Sequence, residues 1–366
     1  MSIQIPNLVS QNRQYGTFTV SSTLDIFGDS VVNGIGASTT ANRWSTQLCS
    51  ILGVTENNRG INSDQWLDSS GNIYGSHVAG RSVIMAYGIN DSRFQTKIHQ
   101  LGDIMRATSL FSCLPASCIN NLRTPATVTE VGTWANTVLY SIGRSSATVD
   151  GTTSIQCTVT GRYVAIAMST NNVTTSNNAI SVGITIDGTN VITQGGSATT
   201  TMDLVNTLTT SVNGSSYASF LFVYDTGVAG TGVAHTIKVT PTKVGTIVGS
   251  FYCDYMAGFD SNQAGCASVG LLDFYDYDQS TWVGQSSGPP VLGSASGDLV
   301  IAALRSQMSR VSEQFLNWGL PIYYFKNAYN LSRYGMLCAD MLHPNNSGHA
   351  QIAQHVATQI ANTKAL

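Results

Sequence analysis

The periodicity of apolar residues changes twice along this chain, and the two changes divide it into three stretches. Before about Thr124, short apolar runs alternate with helical spacing. Leu24-Asp-Ile-Phe27 runs into Gly28, and Ser82-Val-Ile-Met-Ala-Tyr87 runs into Gly88, as buried strands ending in turns do. From Asp91 to Leu114, Phe94, Ile98, Leu101, Ile104 and Met105 fall at helical spacing, which completes a strand-turn-helix unit. Repeated, that unit builds a parallel α/β sheet.

Between about Thr124 and Phe259 the pattern becomes many short strands rich in Val, Ile, Thr and Tyr, separated by Gly, Asn and Ser. Examples are Tyr163-Val-Ala-Ile-Ala167, Ile180-Ser-Val-Gly-Ile-Thr-Ile186, Ser219-Phe-Leu-Phe-Val-Tyr224 and His235-Thr-Ile-Lys-Val-Thr240. Asp187-Gly188 is a hairpin dipeptide of the type that needs positive φ. Such spacing predicts an antiparallel sandwich.

After Gly265 the first pattern resumes, with a strand from Val269, a helix from Asp298 to Trp318, a strand at Ile322-Tyr-Tyr-Phe325 and a terminal helix from Ser347. The 366 residues suffice for two domains. The expected division is one α/β domain split into 1–123 and 260–366, carrying an inserted sandwich over 124–259 that owns its core. Insertions are tolerated where they leave a surface loop with neighbouring ends.

Composition narrows the partners. Only 10% of residues are charged and the net charge is −3, so no basic field exists to attract nucleic acid or anionic lipid. No apolar run reaches the roughly 18 residues of a membrane span, and Met1-Ser-Ile-Gln-Ile-Pro lacks the basic start and apolar core of a secretory signal. Seven cysteines, an odd number without CxxC pairs, indicate neither a disulfide framework nor a zinc site, so synthesis in a reducing cytosol is expected.

Gly28-Asp29-Ser30 follows a predicted strand directly, which places Ser30 at the carboxyl end of the sheet, where open α/β sheets hold ligands. Asp340-Met-Leu-His343 precedes the terminal helix and puts a carboxylate three residues before an imidazole. Such a pair can orient the ring while its other nitrogen takes a serine proton. Acyl transfer also needs donors for an oxyanion. Asn58-Arg-Gly60-Ile-Asn62 and Gly88-Ile-Asn90-Asp91 offer the Gly60 amide and the Asn90 side chain. His349 and His355, six apart on a helix, face different ways and share no metal; they read as solvent or packing residues. His77, His99 and His235 have no clustered ligands, and Asp91 is a minor alternative partner for the base.

Taken in order, Gly28-Asp29-Ser30-Val-Val-Asn-Gly34, Gly60 within Asn-Arg-Gly-Ile, Gly88-Ile-Asn90-Asp91 and Asp340-Met-Leu-His343 resemble the four blocks of the SGNH hydrolases, or GDSL esterases. The resemblance covers roughly residues 20 to 115 and 265 to 362. It implies a flavodoxin-like three-layer α/β/α fold with an inserted antiparallel β-sandwich, and ester hydrolysis through an acyl-enzyme with no metal or organic cofactor. It assigns Ser30 as nucleophile, His343 as base, Asp340 as its orienting partner, and the Ser30 and Gly60 amides with the Asn90 side chain as the oxyanion hole.

The insert is rich in Ser, Thr, Asn and Gly, and its aromatics Trp134, Tyr140, Tyr217 and Tyr224 suit neutral sugars if exposed and a sandwich core if not. In style the whole is similar to esterase modules of bacteriophage tail fibres and to carbohydrate acetylesterases. The expected substrate is an O-acetylated polysaccharide, and a phage fibre, acting outside the cell, would be a trimer. The alternatives are a lipase or thioesterase of the same fold and a non-catalytic virion protein.

Overall fold

The computed structural model describes residues 17–94, 98–124, 126–136, 143–170, 179–194, 197–198, 202–204, 218–227, 232–244, 250–273, 295–326, 331, 335–340 and 342–363. Its first part runs β1 (Thr23–Gly28), α1 (Ser30–Asn33), α2 (Trp44–Leu52), β2 (Thr55–Gly60), α3 (Trp66–Ser76), β3 (Ser82–Ala86), α4 (Ile89–Phe94) and α5 (Ile98–Cys113). The predicted helix over 91–114 is thus α4 and α5. The insert contributes β4 (Val128–Val131), β5 (Arg144–Ser146), β6 (Ser154–Thr160), β7 (Tyr163–Thr170), β8 (Ala179–Ile186), β9 (Ala218–Asp225), β10 (Ala234–Val244) and β11 (Phe251–Phe259). The chain ends with β12 (Val269–Leu272), α6 (Ala295–Asn317), β13 (Ile322–Phe325) and α7 (Asn346–Asn362).

The first sheet is parallel throughout, in the order β2-β1-β3-β12-β13. This is the doubly wound flavodoxin-like order, with its topological switch between β1 and β3. Period-two alternation feeds both faces. Leu24, Ile26, Ile84, Tyr323 and Phe325 pack with Trp44 and Leu48 of α2 and Ile352 and Val356 of α7. Phe27, Val83, Met85, Val269 and Leu271 point the other way, to Trp66, Leu101, Leu110 and Phe315 of α3, α5 and α6. Buried helices on both faces explain why these strands are apolar almost throughout. The polar β2 (TENNRG) lies at the edge, where one side needs no burial.

The insert forms two antiparallel sheets, one running β9-β7-β11-β5 and the other β8-β10-β6-β4. Asp187 (φ 52°) and Gly188 (φ 79°) turn the hairpin after β8, with Ile186 paired to Thr189, as the dipeptide predicts. Pairing with the insert begins before the expected boundary, since Ile119 and Asn120 already bridge to Ala257 and Met256. Ile155, Ile166, Val182, Ile184, Ile237 and Met256 form a core between the sheets.

A second core was not expected. The outer face of the β9-β7-β11 sheet carries Tyr163, Ala165, Ala167, Tyr255, Ala257 and Phe259 into the same apolar cluster as Tyr74, Leu110 and Phe111. The Tyr255 ring lies 5.5 Å from Phe111 and 5.7 Å from Tyr74, and its hydroxyl donates to Ala107 O at 2.8 Å. The sandwich therefore does not own all of its core; it covers the α3/α5 flank as an additional layer.

The aromatics that suggested a sugar surface divide accordingly. Trp134 is buried, its indole N–H donating to Val131 O and Ser154 O, both at 3.1 Å, and Tyr224 packs half-buried against the sandwich core. Tyr140 and Tyr217 lie outside the described residues. No described helix is long and apolar enough to cross a membrane.

Candidate active site

Parallel pairing in register brings Gly28 opposite both Gly60 and Ala86, so the segments following β1, β2 and β3 leave the sheet at one edge. Gly28 and Gly60 are sites of close backbone approach. A Cβ on Gly28 would strike Ala86 O, and one on Gly60 would strike the backbone of Val32 and Asn33. At that edge the chain turns directly into α1. Asp29 is its N-cap, with Oδ1 accepting from Val31 N–H at 2.9 Å, and Ser30 is the first helical residue, 8% exposed.

The imidazole arrives on a pinned loop. Cys338 N–H donates to His343 O at 2.8 Å and Asn345 N–H to Met336 O at 2.9 Å, while the Asn345 side chain caps α7. Two contacts tie this loop to the one after α1: Ser38 N–H donates to Asn346 Oδ1 at 2.9 Å, and Gly36 lies so close to Pro344 O that no side chain fits. Across this joint His343 Nε2 lies 2.9 Å from Ser30 Oγ, a separation of 313 residues in sequence. His343 Nδ1 lies 2.6 Å from Asp340 Oδ2.

Asp340 is shaped by its own turn. Its Oδ1 accepts the backbone amides of Leu342 and His343, each at 3.0 Å. Partial burial works against the charge, yet the bonds from the His343 ring and those two amides hold the carboxyl below its ordinary value. With the carboxylate charged, the proton between the pair belongs on Nδ1, which leaves Nε2 free to accept from Ser30. Ser30, His343 and Asp340 thus form the connected hydroxyl, imidazole and carboxylate arrangement of nucleophilic catalysis.

The expected oxyanion donors fare unequally. Asn90 is buried, its side-chain Nδ2 donating to Asp64 O at 2.9 Å and its backbone carbonyl accepting from Gln65 Nε2 at 3.3 Å. One Nδ2 hydrogen remains for a ligand. Gly60 N–H, in contrast, donates to Asn58 Oδ1 at 2.9 Å and is engaged in this conformation. An Asx-type bond two residues apart satisfies it first.

Several residues have roles that spacing did not reveal. His349 is wholly buried, with Nδ1 accepting from Trp44 N–H at 3.3 Å and Nε2 facing Ile35 O at 3.2 Å. It fastens the nucleophile loop to α2 and α7, and burial pushes its value down to about 4. It is therefore neutral packing machinery and no solvent residue. Asp91 is also structural: its Oδ2 accepts from Trp66 N–H at 2.8 Å, capping α3. His77 pairs with Asp25 at 3.1 Å and His235 with Asp187 at 2.7 Å, both away from this edge. Among the described residues no group of three His, Cys, Asp or Glu could hold a metal, and all seven cysteines are free thiols.

The parallel sheet order is the one implied by the SGNH resemblance, and the fold is a three-layer α/β/α arrangement with a sandwich insert. No family model and no curated protein matches the chain. Among solved structures it is similar to a two-domain esterase active on acetylated mannans, at 11% identity over 67% of this chain and 92% of that one, with a TM-score of 0.33. It is also similar to a family two carbohydrate esterase from Cellvibrio japonicus, at 10% identity over 67% and 97% with a TM-score of 0.25. A lipolytic protein of the G-D-S-L family from Desulfitobacterium hafniense DCB-2 is 18% identical over 25% of this chain and 53% of that one, with a TM-score of 0.22.

Proposed function

We propose that this protein is a serine esterase that removes O-acetyl groups from a neutral polysaccharide. The observation that carries the reading is the continuous path from Ser30 Oγ through His343 to Asp340 at the ligand-binding edge of the sheet. In this mechanism Ser30 Oγ attacks the acetyl carbonyl carbon as its proton passes to His343 Nε2. Asp340 stabilises the imidazolium through Nδ1–H. The Ser30 amide and the second Nδ2 hydrogen of Asn90 stabilise the oxyanion, and Gly60 joins them only by exchanging its bond to Asn58. Collapse breaks the C–O bond, with the His343 proton going to the sugar oxygen. Water, deprotonated by His343, then attacks the acetyl-serine, and cleavage of the bond from Ser30 Oγ to the acyl carbon releases acetate as the proton returns from His343 Nε2 to Ser30 Oγ.

The shape of the insert supports a polymeric neutral substrate. Its β6-β10 surface presents Gln156, Thr158, Thr236, Lys238 and Thr240 outward in adjacent register, a hydroxyl-rich face on which Lys238 is the one charge among the five. Hydroxyls and amides of that kind bond sugar hydroxyls without selecting for an ionic polymer. The test is acetate release from a panel of acetylated mannans and xylans, with an aryl acetate and a long-chain acyl thioester alongside. Acetate release that disappears in Ser30→Ala supports the reading. Preference for the thioester, or equal turnover in folded Ser30→Ala, overturns it.

A further inference from the structure

Asp29, the residue before the proposed nucleophile, is fully buried, yet only one of its oxygens is satisfied. Oδ1 accepts the Val31 amide that holds the nucleophile turn, whereas Oδ2 has no hydrogen-bond partner among the described residues. The charged groups that act on it most strongly are themselves acids, Asp91 on α4 and Asp64 in the turn before α3. The buried Tyr87, just after β3, feels the charges of Asp64, Asp29 and Asp68 of α3, and His343 Nε2 meets Ser30 Oγ on the neighbouring residue. Oδ2 as a charged oxygen would sit without a donor beside two further carboxyls, an expensive arrangement in a buried site. A neutral acid keeps the cap through Oδ1 and avoids that repulsion.

We propose that Asp29 is a positioning residue that works as a neutral carboxylic acid, capping the turn of Ser30 without placing a negative charge beside the developing oxyanion. Its ionisation in alkaline solution then switches hydrolysis off. Burial, followed by the charges of Asp91 and Asp64, pushes Asp29 up to about 8 against the pull of the Val31 amide, so the neutral form prevails at pH 7. The oxyanion forms at the amide end of the same short turn. A carboxylate one residue away would compete for those dipoles and oppose the charge that the transition state builds.

The inference rests on Ser30 being the nucleophile, and its test separates the two claims. Asp29→Ala removes the cap and is expected to lower kcat by about a hundredfold, the order of effect of misplacing a catalytic group by about 1 Å, while Asp29→Asn, which retains Oδ1, regains most of that loss. The decisive readout is the pH profile of kcat/KM. Wild type should fall about tenfold per pH unit above roughly pH 8, Asp29→Asn should hold its plateau there, and Asp64→Asn should move the fall to lower pH by removing a repelling charge. An alkaline fall that persists unchanged in Asp29→Asn overturns the proposal.

Infrared difference spectroscopy of the Ser30→Ala protein, with carboxyl-labelled aspartate, needs no turnover. At neutral pH it should show a protonated-carboxyl band that vanishes on raising the pH past about 9 and is missing after Asp29→Asn. Absence of that band at neutral pH overturns the proposal even in an active esterase. An inactive wild type that shows the band overturns the esterase reading and the catalytic role, and leaves only the buried neutral acid standing.

Discussion

Replacing Tyr255 by alanine tests whether the insert is an appendage or a structural layer. The ring is wholly buried against Tyr74 and Phe111, and its hydroxyl donates to Ala107 O on α5. Deleting a buried aromatic ring costs about 3–5 kcal/mol, and the lost hydrogen bond adds about 1 kcal/mol, since Ala107 O keeps its helical partner. A loss of ~5 kcal/mol would raise the unfolded population roughly 5,000-fold, a large share of a net stability of roughly 5–15 kcal/mol. Hydrogen exchange read by mass spectrometry resolves where the loss falls. If the flank is shared, peptides from α5, α3 and β3 should lose protection together with β11 and β7. Loss confined to the insert, with α5 and β3 exchanging as in wild type and esterase activity surviving to the same denaturant concentration, would refute the shared core. The same reasoning predicts that exchanging the whole insert for a short linker fails to leave a soluble esterase, because Tyr74, Leu110 and Phe111 would be uncovered.

Two other outcomes follow from the site. His343→Ala should reduce kcat by roughly 10⁴-fold or more, and Asp340→Asn by less, because the carboxylate is 42% exposed at its side chain and orients a ring that the pinned loop already holds; single-turnover acylation rates would rank them, and the reverse order would displace His343 as the base. Stability on the acid side should carry the signature of His349, whose folded value of about 4 lies below its ordinary 6.5. Its contribution is complete above about pH 6.5 and is lost as the pH falls through about 4, a total of ~3 kcal/mol. Thermal melts of wild type and His349→Gln across that range should show a flatter acid limb in the variant.

Local chemistry made much of this protein legible from its sequence. Apolar runs ending in Gly28 and Gly88 mark strand ends because a buried strand must stop where the backbone turns out of the sheet, and Ser30 and Asn90 follow from those ends. Asp340 and His343 are three residues apart, so their pairing is set by a local turn. Asp187-Gly188 fixes its hairpin for the same kind of reason.

What tertiary structure alone decided is set by contacts between residues far apart in the chain. The sheet order, the 2.9 Å approach of His343 to Ser30 and the burial of His349 depend on how the first and last thirds dock, which no local periodicity encodes. Capture of the Gly60 amide by Asn58 depends on a strand edge whose side chains find partners on α1 and α2. The shared core did leave a trace in the sequence. Every residue of Tyr163–Thr170 and Phe251–Phe259 is buried, and the first opens on a continuous apolar run, Tyr163 to Met168, where a two-layer sandwich would alternate. Such a run reports that a strand is covered on both faces, but only the folded chain shows that the second cover is α5.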